Sequence, residues 1–252
     1  MSTFFNGRLL NLAHRGVSRE APENTLAAFR LAETRGADGI ELDVRLCRSG
    51  EPVVMHDARL NRTTDGRGYV RRKTLEQLRR LDAGSHFHER FAQERVPSLD
   101  EVLRWSRGRM LVNIEIKSFA SRRLAGIEAG VIKLLHRHRM AHQCLISSFN
   151  PLVLRRVARL DSQVATALLM DRRLYVYRSE LPLSRLSGVH GLNIHVRLAN
   201  ERFVQQCKKA GLRVMVWGAS RREELESLTE LGIDGIITDE PLLLRKILER
   251  NG

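Results

Sequence analysis

Short apolar runs alternate with helical segments along most of the chain. The runs that predict strands occupy residues 9–13, 39–46, 52–56, 110–116, 144–149, 163–170, 188–195, 212–217 and 235–238. Between most of them, apolar residues recur at helical spacing, as Leu26 and Phe29 do before the second run and Leu225 and Leu228 do before the last. The pattern therefore predicts an alternation of strands and amphipathic helices.

Some of the predicted helices carry start signals. Ser98 and Glu101 have the spacing of a capping box. Pro151 follows Asn150, and Ser220 precedes a charged turn. We expect a helix to begin at each of these points.

The connection lengths predict the topology. Repeated strand–helix units imply parallel strands joined by right-handed crossovers. The loop between runs 39–46 and 52–56 is far shorter than the roughly dozen residues of a parallel crossover, so run 52–56 must fold back as an antiparallel hairpin. Removing it leaves eight units, and we predict an α/β fold, a TIM (β/α)8 barrel with a hairpin extending its second strand. An open doubly wound sheet is the alternative, although no glycine-rich dinucleotide loop follows the first strand.

The chain reads as one domain with one insertion. At 252 residues it fits one large domain or two small ones, and no linker or low-complexity tract divides it, so we expect a single domain over 1–252. Residues from about 57 to 96 break the rhythm with a turn-rich stretch, a short helix predicted over 74–81, and a stretch with two histidines. An insertion of this size after a barrel strand commonly shapes or covers a site.

The composition bears on where in the cell the protein is expected. The N-terminus lacks the charged and apolar regions of a signal peptide, and no apolar run approaches the roughly 18 residues of a membrane span. The three cysteines are odd in number and far apart, which disfavours a disulfide framework. A cytoplasmic location is the expectation.

The net charge is +14, from 43 lysines and arginines against 29 acidic residues. Such a charge attracts anions, but an arginine-rich bias with solvated helix faces gives the same count. The arginines are spread along the chain and only 5% of residues are aromatic, so they lack the stacking partners of single-strand binders. We expect no nucleic acid partner.

Polar residues gather where the predicted strands end. His14 and Arg15 follow the first strand, at the kind of position where α/β enzymes keep their chemistry. The same type of position recurs with Glu41, Asp43, Glu115, Lys117, Trp217 and Asp239. The recurrence favours an enzyme.

Three carboxylates are expected to converge at the barrel mouth. Residues two apart in a strand share a face, so Glu41 and Asp43 face one way, as do Glu115 and Lys117. Charges inside an apolar barrel are costly unless paired or bound to metal. Oxygen ligands without cysteine favour one hard divalent cation, Mg²⁺ or Ca²⁺. The alternative is a set of buried salt bridges with the neighbouring basic residues Arg15, Arg45 and Lys117.

Two histidines lie beside these acids. His14 and His56 occupy strand ends, and such a pair suits a reaction that needs both an acid and a base. The alternative for each is a satisfied core histidine. The role of His195 stays open, and the remaining histidines are predicted to be structural.

At this point the motifs resemble those of the glycerophosphodiester phosphodiesterases. The matching segments, in the order of that family, are HRG at 14–16, PENT at 22–25, GADGIELDV at 36–44, VVMHD at 53–57, EIK at 115–117, SSF at 147–149, Trp217 and GIDGIITDEP at 232–241. Each motif is short, but the ordered set is specific and spans residues 12–241.

The resemblance implies a barrel hydrolase that cuts a glycerophosphodiester to an alcohol and sn-glycerol 3-phosphate with a divalent cation. By position, Glu41, Asp43 and Glu115 would be the metal ligands and His14 and His56 the general acid and base. Arg15 and Lys117 would bind the phosphate, and Trp217 would form an apolar wall for the glycerol moiety, its alternative being core packing. The resemblance further suggests that the glycerol 2-hydroxyl attacks first and that water then opens a cyclic phosphate.

Two other functions remain as alternatives. A lysophospholipase D would run the same reaction on lysophospholipids at a membrane surface; the positive charge allows membrane contact, but no clear amphipathic membrane helix indicates it. A catalytically silent barrel could instead bind nucleic acid through its arginines, although the candidate catalytic positions are intact. The head-group preference, the choice of ion and the oligomeric state are left open by the sequence.

Overall fold

A closed ring of parallel strands forms the centre of the protein. The computed structural model describes residues 4–117, 126–171 and 189–251. Its strands are β1 Leu10–His14, β2 Gly39–Leu46, β3 Pro52–Val54, β4 Leu111–Ile116, β5 Cys144–Ser148, β6 Ala165–Met170, β7 Gly191–His195, β8 Arg213–Trp217 and β9 Gly235–Thr238. The hydrogen-bonded order β1-β9-β8-β7-β6-β5-β4-β2 closes through β1 and β2. The predicted TIM barrel is confirmed and the open sheet is wrong; the expected start of a strand at 188 lies outside the described residues.

The surplus strand is the predicted hairpin. β3 pairs antiparallel with β2, with Val54 opposite Val44, and it extends the second barrel strand outside the ring. The short loop between them leaves no room for a crossover helix, which is the reason for the reversal.

Helices follow most of the strands. They are α1 Leu26–Thr34, α2 Leu75–Arg79, α3 Leu99–Ser106, α4 Ile127–His138, α5 Pro151–Leu160, α6 Glu201–Lys209, α7 Arg222–Glu230 and α8 Pro241–Asn251. The capping box at Ser98 and the Asn150 cap are confirmed. Ser220 is one residue early, because the cap of the next helix is Arg221. Across the described ranges, no helix is long and apolar enough to cross a membrane.

Alternation along β2 separates the apolar core from the site. Ile40, Leu42 and Val44 belong to the main hydrophobic cluster between the ring and the helices. Glu41 and Asp43, on the opposite side of the strand, point into the barrel. A second cluster, of Phe4, Leu10, Leu12, Leu145, Ala165, Ala167, Met215 and Ile237, fills the barrel interior. The interior is therefore packed below the charges rather than open.

The insertion has its own small core. A buried apolar cluster joins Leu60, Val70, Leu78, Ala83 and Val96 of the insertion to Cys47, Val53 and Met55 of the hairpin. The helix predicted over 74–81 is shorter, Leu75–Arg79, with a capping box at Thr74. The insertion is thus a packed cap on the hairpin, while the assignment of 1–252 to a single domain stays a prediction.

Candidate active site

A left-handed turn after β1 places His14 and Arg15 at the rim of the barrel. Arg15 and Gly16 have φ angles of 56° and 79°. A Cβ on Gly16 would lie 2.6 Å from atoms of Ala28 in α1, so only glycine lets the turn lie against the helix. The turn directs the backbone N–H of Arg15 to the Oε2 atom of Glu41, 3.1 Å away.

The loop before α1 fixes Asp43. The side-chain amide of Asn24 donates to Oδ2 of Asp43 at 2.8 Å and accepts from the Asp43 backbone N–H at 3.2 Å. The next residue, Thr25, caps α1 by accepting from the Ala28 N–H. The PENT segment therefore starts the helix and orients a site carboxylate at the same time.

The predicted carboxylates do converge. The ladder sets Glu41 beside His14 on one side, and Asp43 beside Glu115 on the other. One oxygen from each of Glu41, Asp43 and Glu115 lies within 4.8 Å of the others, and all three residues are buried. Burial raises the pKa of Glu41, and the like charge of Asp43 raises it further. The pKa of Glu115 is raised for the same two reasons.

Two cationic side chains partly balance these charges. Lys117 Nζ lies 2.9 Å from Asp43 Oδ1 and 2.7 Å from Glu115 Oε1, and Arg15 Nε lies 3.3 Å from Asp43 Oδ2. Burial alone would raise the pKa of Asp43, but Lys117 and Arg15 lower it. The predicted salt bridges to Arg15 and Lys117 thus exist, and Glu41 is the carboxylate that neither cationic side chain contacts in the described ion pairs.

Arg45 behaves differently from the expectation. Its guanidinium donates through Nε and Nη2 to the backbone carbonyl of His56, at 2.8 and 2.5 Å. No ion pair links it to the three carboxylates in the part of the chain that is described, so this member of the salt-bridge alternative is wrong. The side chain instead holds the end of the hairpin in place.

His14 is held by a residue that follows the neighbouring strand β9. Its Nδ1 lies 2.7 Å from Asp239 Oδ1, at the end of β9, and its Nε2 lies 4.0 Å from Glu41 Oε2. The Ser18 hydroxyl also donates to Asp239 Oδ1 at 3.3 Å. Burial tends to lower the pKa of His14, but the bond to Asp239 and the charge of Glu41 raise it overall.

His56 has a matching anchor on the insertion side. Its Nδ1 lies 2.7 Å from Oδ1 of the adjacent Asp57. Burial lowers the pKa of His56, and the positive charges of Lys117 and Arg15 add to the lowering while Asp43 opposes it. Both histidines therefore engage an aspartate through Nδ1 and leave Nε2 for other partners.

A cavity of about 220 Å³ unites the predicted residues. It is lined by His14, Arg15, Glu41, His56, Asn113, Glu115, Lys117, Ser147, Phe149, Leu169, Trp217 and Ile237. Two of the residues singled out at strand ends, Asp43 and Asp239, lie outside this lining; Asp43 is 1% exposed beneath the others. The indole N–H of Trp217 donates to the Asn193 carbonyl at 3.1 Å, and the indole ring packs at right angles to the ring of Phe149.

The sequence analysis did not identify some of the residues that line the cavity. Asn113 is two residues before Glu115 on the same strand face, and its Oδ1 accepts from Ser147 Oγ at 2.9 Å. That spacing could have identified Asn113, and the SSF segment could have identified Ser147 and Phe149. Leu169 carried no signal beyond its strand.

The other histidines have ordinary partners. His136 and His138 pair with Asp161 and Asp100 on the helical surface. His195 does not line the cavity; its ring packs edge to face on Trp217 with centroids 4.6 Å apart. The structure thus makes His195 a support for the wall.

Comparison with known proteins agrees with the motifs. The profile of the glycerophosphoryl diester phosphodiesterase family matches residues 14–243. The chain is 40% identical over 248 residues to a glycerophosphodiester phosphodiesterase of Caldanaerobacter subterraneus subsp. tengcongensis, covering 97% of this chain and 100% of the relative. It is 30% identical over 255 residues to a glycerophosphodiester phosphodiesterase of Bacillus subtilis, covering 95% and 86%.

Solved structures show the same architecture. An Oleispira antarctica phosphodiesterase, in complex with the product sn-glycerol-3-phosphate, superposes with a TM-score of 0.89 at 30% identity, covering 99% of this chain and 100% of that one. A glycerophosphodiester phosphodiesterase from Thermotoga maritima superposes with a TM-score of 0.75 at 26% identity, covering 95% and 98%.

Proposed function

The chain belongs to the glycerophosphoryl diester phosphodiesterase family, and from that membership we propose that it cuts glycerophosphodiesters to an alcohol and sn-glycerol 3-phosphate with one divalent cation and histidine acid–base catalysis. The observation that carries the proposal is one cavity lined by two carboxylates, two cationic side chains and two anchored histidines, with the third carboxylate, Asp43, buried within 4.8 Å of the other two. This grouping supports a phosphoric diester hydrolase.

The donor set fits a hard cation. Glu41, Asp43 and Glu115 offer oxygen atoms within 4.8 Å of one another, and the raised pKa of Glu41 reflects burial and like charges that a cation would relieve. Oxygen-only ligands suit Mg²⁺ or Ca²⁺. The chemistry that such an ion supplies when bound is electrostatic, because it draws negative charge away from the phosphate oxygens.

Arg15 and Lys117 bind the phosphate in this proposal. Each is already held by site carboxylates, so its position is set before the substrate arrives. The planar guanidinium of Arg15 can donate a pair of hydrogen bonds, while Lys117 acts as a point charge. Both favour the more negative transition state of phosphoryl transfer.

The histidines move the protons. One Nε2 accepts the proton of the attacking glycerol 2-hydroxyl, and the other gives its proton to the oxygen of the leaving alcohol. A water molecule then opens the resulting cyclic phosphate, with the two proton transfers reversed. The aspartates at Nδ1 of His14 and His56 fix each ring and its tautomer. Trp217, backed by His195, provides an apolar wall for the glycerol carbons.

The test is a substrate panel assayed after metal removal. Alcohol release from glycerophosphocholine and glycerophosphoethanolamine should stop with EDTA and return with Mg²⁺ or Ca²⁺. Glu41→Gln should remove the activity, while Glu201→Gln, an exposed change on α6, should not. Activity that survives complete chelation, or survives Glu41→Gln, would overturn the metal mechanism.

The comparisons favour this activity over the alternatives raised by the sequence. Lysophosphatidylcholine belongs in the same panel, because turnover of it at a rate near that of glycerophosphocholine would restore the lysophospholipase D alternative. The cytoplasmic location and the absence of a nucleic acid partner stay predictions.

A further inference from the structure

One arginine of the insertion contacts both halves of the proposed site. We propose that Arg62 is a positioning residue that holds Arg15 and His56 in their working orientations through Glu23 and Asp57. The proposal rests on the proposed function, because it assigns Arg62 a task only if Arg15 binds phosphate and His56 transfers a proton.

The first half of the contact runs to Arg15. Arg62 donates from Nη1 to Glu23 Oε2 at 2.7 Å and from Nη2 to Glu23 Oε1 at 2.8 Å, a forked pair. Glu23 Oε1 also accepts from Arg15 Nη1 at 3.0 Å. Glu23 is therefore held on one side by Arg62 and holds Arg15 on the other.

The second half runs to His56. Arg62 donates from Nε to Asp57 Oδ2 at 2.7 Å and from Nη2 to Asp57 Oδ1 at 3.1 Å. The same Oδ1 lies 2.7 Å from His56 Nδ1. A single guanidinium thus makes four hydrogen bonds to two carboxylates, one for each candidate catalytic group.

The base from which Arg62 extends is rigid. Leu60, two residues earlier, is fully buried in the core of the insertion. Its carbonyl accepts from both the backbone N–H and the hydroxyl of Thr64, at 3.1 and 2.7 Å. The backbone on either side of Arg62 is therefore fixed, so the guanidinium has a defined place at the rim.

The contribution of Arg62 to folding is limited by its exposure. Its side chain is 46% exposed, so water and salt weaken the attraction of its ion pairs, although forked pairs in a network contribute more than an isolated pair. What four directed hydrogen bonds do supply is geometry, because they fix the distance between two carboxylates that each orient a different group. Removal of the partners that orient metal ligands typically changes affinity or activity by about 10- to 100-fold, and we expect an effect of that size for Arg62.

Steady-state kinetics on glycerophosphocholine distinguish the contact through Glu23 to Arg15 from the contact through Asp57 to His56. Glu23→Gln places an amide donor against a guanidinium and should mainly raise KM, because Arg15 meets the phosphate. Asp57→Asn should mainly lower kcat, because His56 loses the negative charge beside Nδ1 and the new amide NH2 group can hold the other tautomer of the ring. Arg62→Ala should do both and reduce kcat/KM by about 100-fold, with Arg62→Lys intermediate, since one ammonium cannot form both forks.

Chemical rescue gives a readout that a loss of folding would not. Guanidinium ion at low millimolar concentration should restore part of the activity of Arg62→Ala, and sodium chloride at the same ionic strength should not. Arg72→Ala is the matched control, since Arg72 is exposed on the same insertion and its described contact is with the Tyr69 ring. Its kinetics should match those of the wild type.

Two results would overturn the proposal. One is Arg62→Ala with wild-type kcat and KM in a folded protein. The other is a loss shared equally by Arg62→Ala and Arg72→Ala without guanidinium rescue, which would assign the effect to the insertion as a whole. Failure of the proposed function is distinct, because the wild-type protein itself would then not hydrolyse glycerophosphocholine.

Discussion

Replacing Glu41 by glutamine should make the metal-free protein more stable, even though Glu41 is central to the proposed site. Glu41 is 5% exposed and shares its pocket with two other carboxylates. The described hydrogen bond that it accepts comes from the Arg15 backbone N–H, which a glutamine oxygen can also accept. The change therefore removes repulsion and keeps the hydrogen bond.

The magnitude follows from the pKa of Glu41. Burial and the neighbouring carboxylates raise this pKa from 4.5 to about 8. Because each pKa unit corresponds to about 1.4 kcal/mol, the shift sets a ceiling of about 5 kcal/mol on the cost of the charge. Relaxation of the charged site lowers this figure, and we expect about 2 kcal/mol.

The sign gives the pH window. The folded-state pKa of Glu41 is the higher one, so the folded protein holds the proton more tightly than the unfolded chain does. The cost is absent below the unfolded pKa of 4.5, grows as pH rises toward 8 and is constant above it. The advantage of Glu41→Gln should follow the same curve.

Urea unfolding in EDTA, at about pH 5 and about pH 9, measures this difference. At the higher pH the variant should also melt about 4–8 °C above the wild type. Glu128→Gln is the matched control, because Glu128 is equally buried but pairs with Arg156 at 3.1 Å. That variant should gain no stability at either pH.

Adding the ion should reverse the order. A cation at about 100 times its Kd stabilises the folded protein by about 2.7 kcal/mol, and the variant should lose most of that gain. The wild type would then be the more stable of the two. If Glu41→Gln is less stable than the wild type in EDTA at high pH, the repulsion argument is wrong and Glu41 is held by contacts that outweigh its charge.

Three further changes test other parts of the site. Gly16→Ala should cost about 2 kcal/mol or more in urea unfolding, because φ is 79° and the new Cβ would meet Ala28 at 2.6 Å; a loss below about 0.5 kcal/mol would show that the turn moves freely. Asp239→Asn should lower kcat by about 10- to 100-fold with KM little changed, because the negative charge beside His14 Nδ1 is lost and the amide NH2 group can hold the other tautomer of the ring; unchanged kcat in timed product assays would show that Asp239 does not orient His14. Trp217→Ala should raise KM for glycerophosphocholine and weaken competitive inhibition by glycerol 3-phosphate but not by inorganic phosphate, which has no glycerol; an equal effect on both inhibitors would assign the indole to packing.

The sequence was enough to predict the strands and the site residues on them, because side chains alternate regularly between the two faces of a strand. Residues two apart share a face, so the spacing of Glu41 and Asp43 was enough to place both inside the barrel. The short loop after residue 46 was enough to predict the hairpin. Register between strands was not readable, and it is the register that sets Asp43 beside Glu115.

The contacts that orient the histidines could not be predicted from the pattern. The sequence placed Asp239 at a strand end, but it lies 225 residues from His14 and only closure of the ring brings the two together. Arg62 belongs to a turn-rich stretch with no periodicity, so nothing local states where its side chain points. Its two forked contacts depend on the fold of the insertion.

The metal-binding carboxylates and the residues that orient the histidines come from different parts of the fold. The carboxylates come from β2 and β4, whose register is fixed by apolar residues on the opposite strand faces, and a slip of one residue would turn them into the helix layer. The anchors of the histidines come from the residue after β9 and from the insertion, which lie outside the pairing of β2 with β4. Changes at Asp57, Arg62 or Asp239 should therefore alter kinetics and leave cation-induced stabilisation intact. A change at Glu41 should remove both the activity and most of the cation-induced stabilisation. Thermal melts with and without the ion distinguish the two classes, and a loss of cation-induced stabilisation in Arg62→Ala would contradict the division.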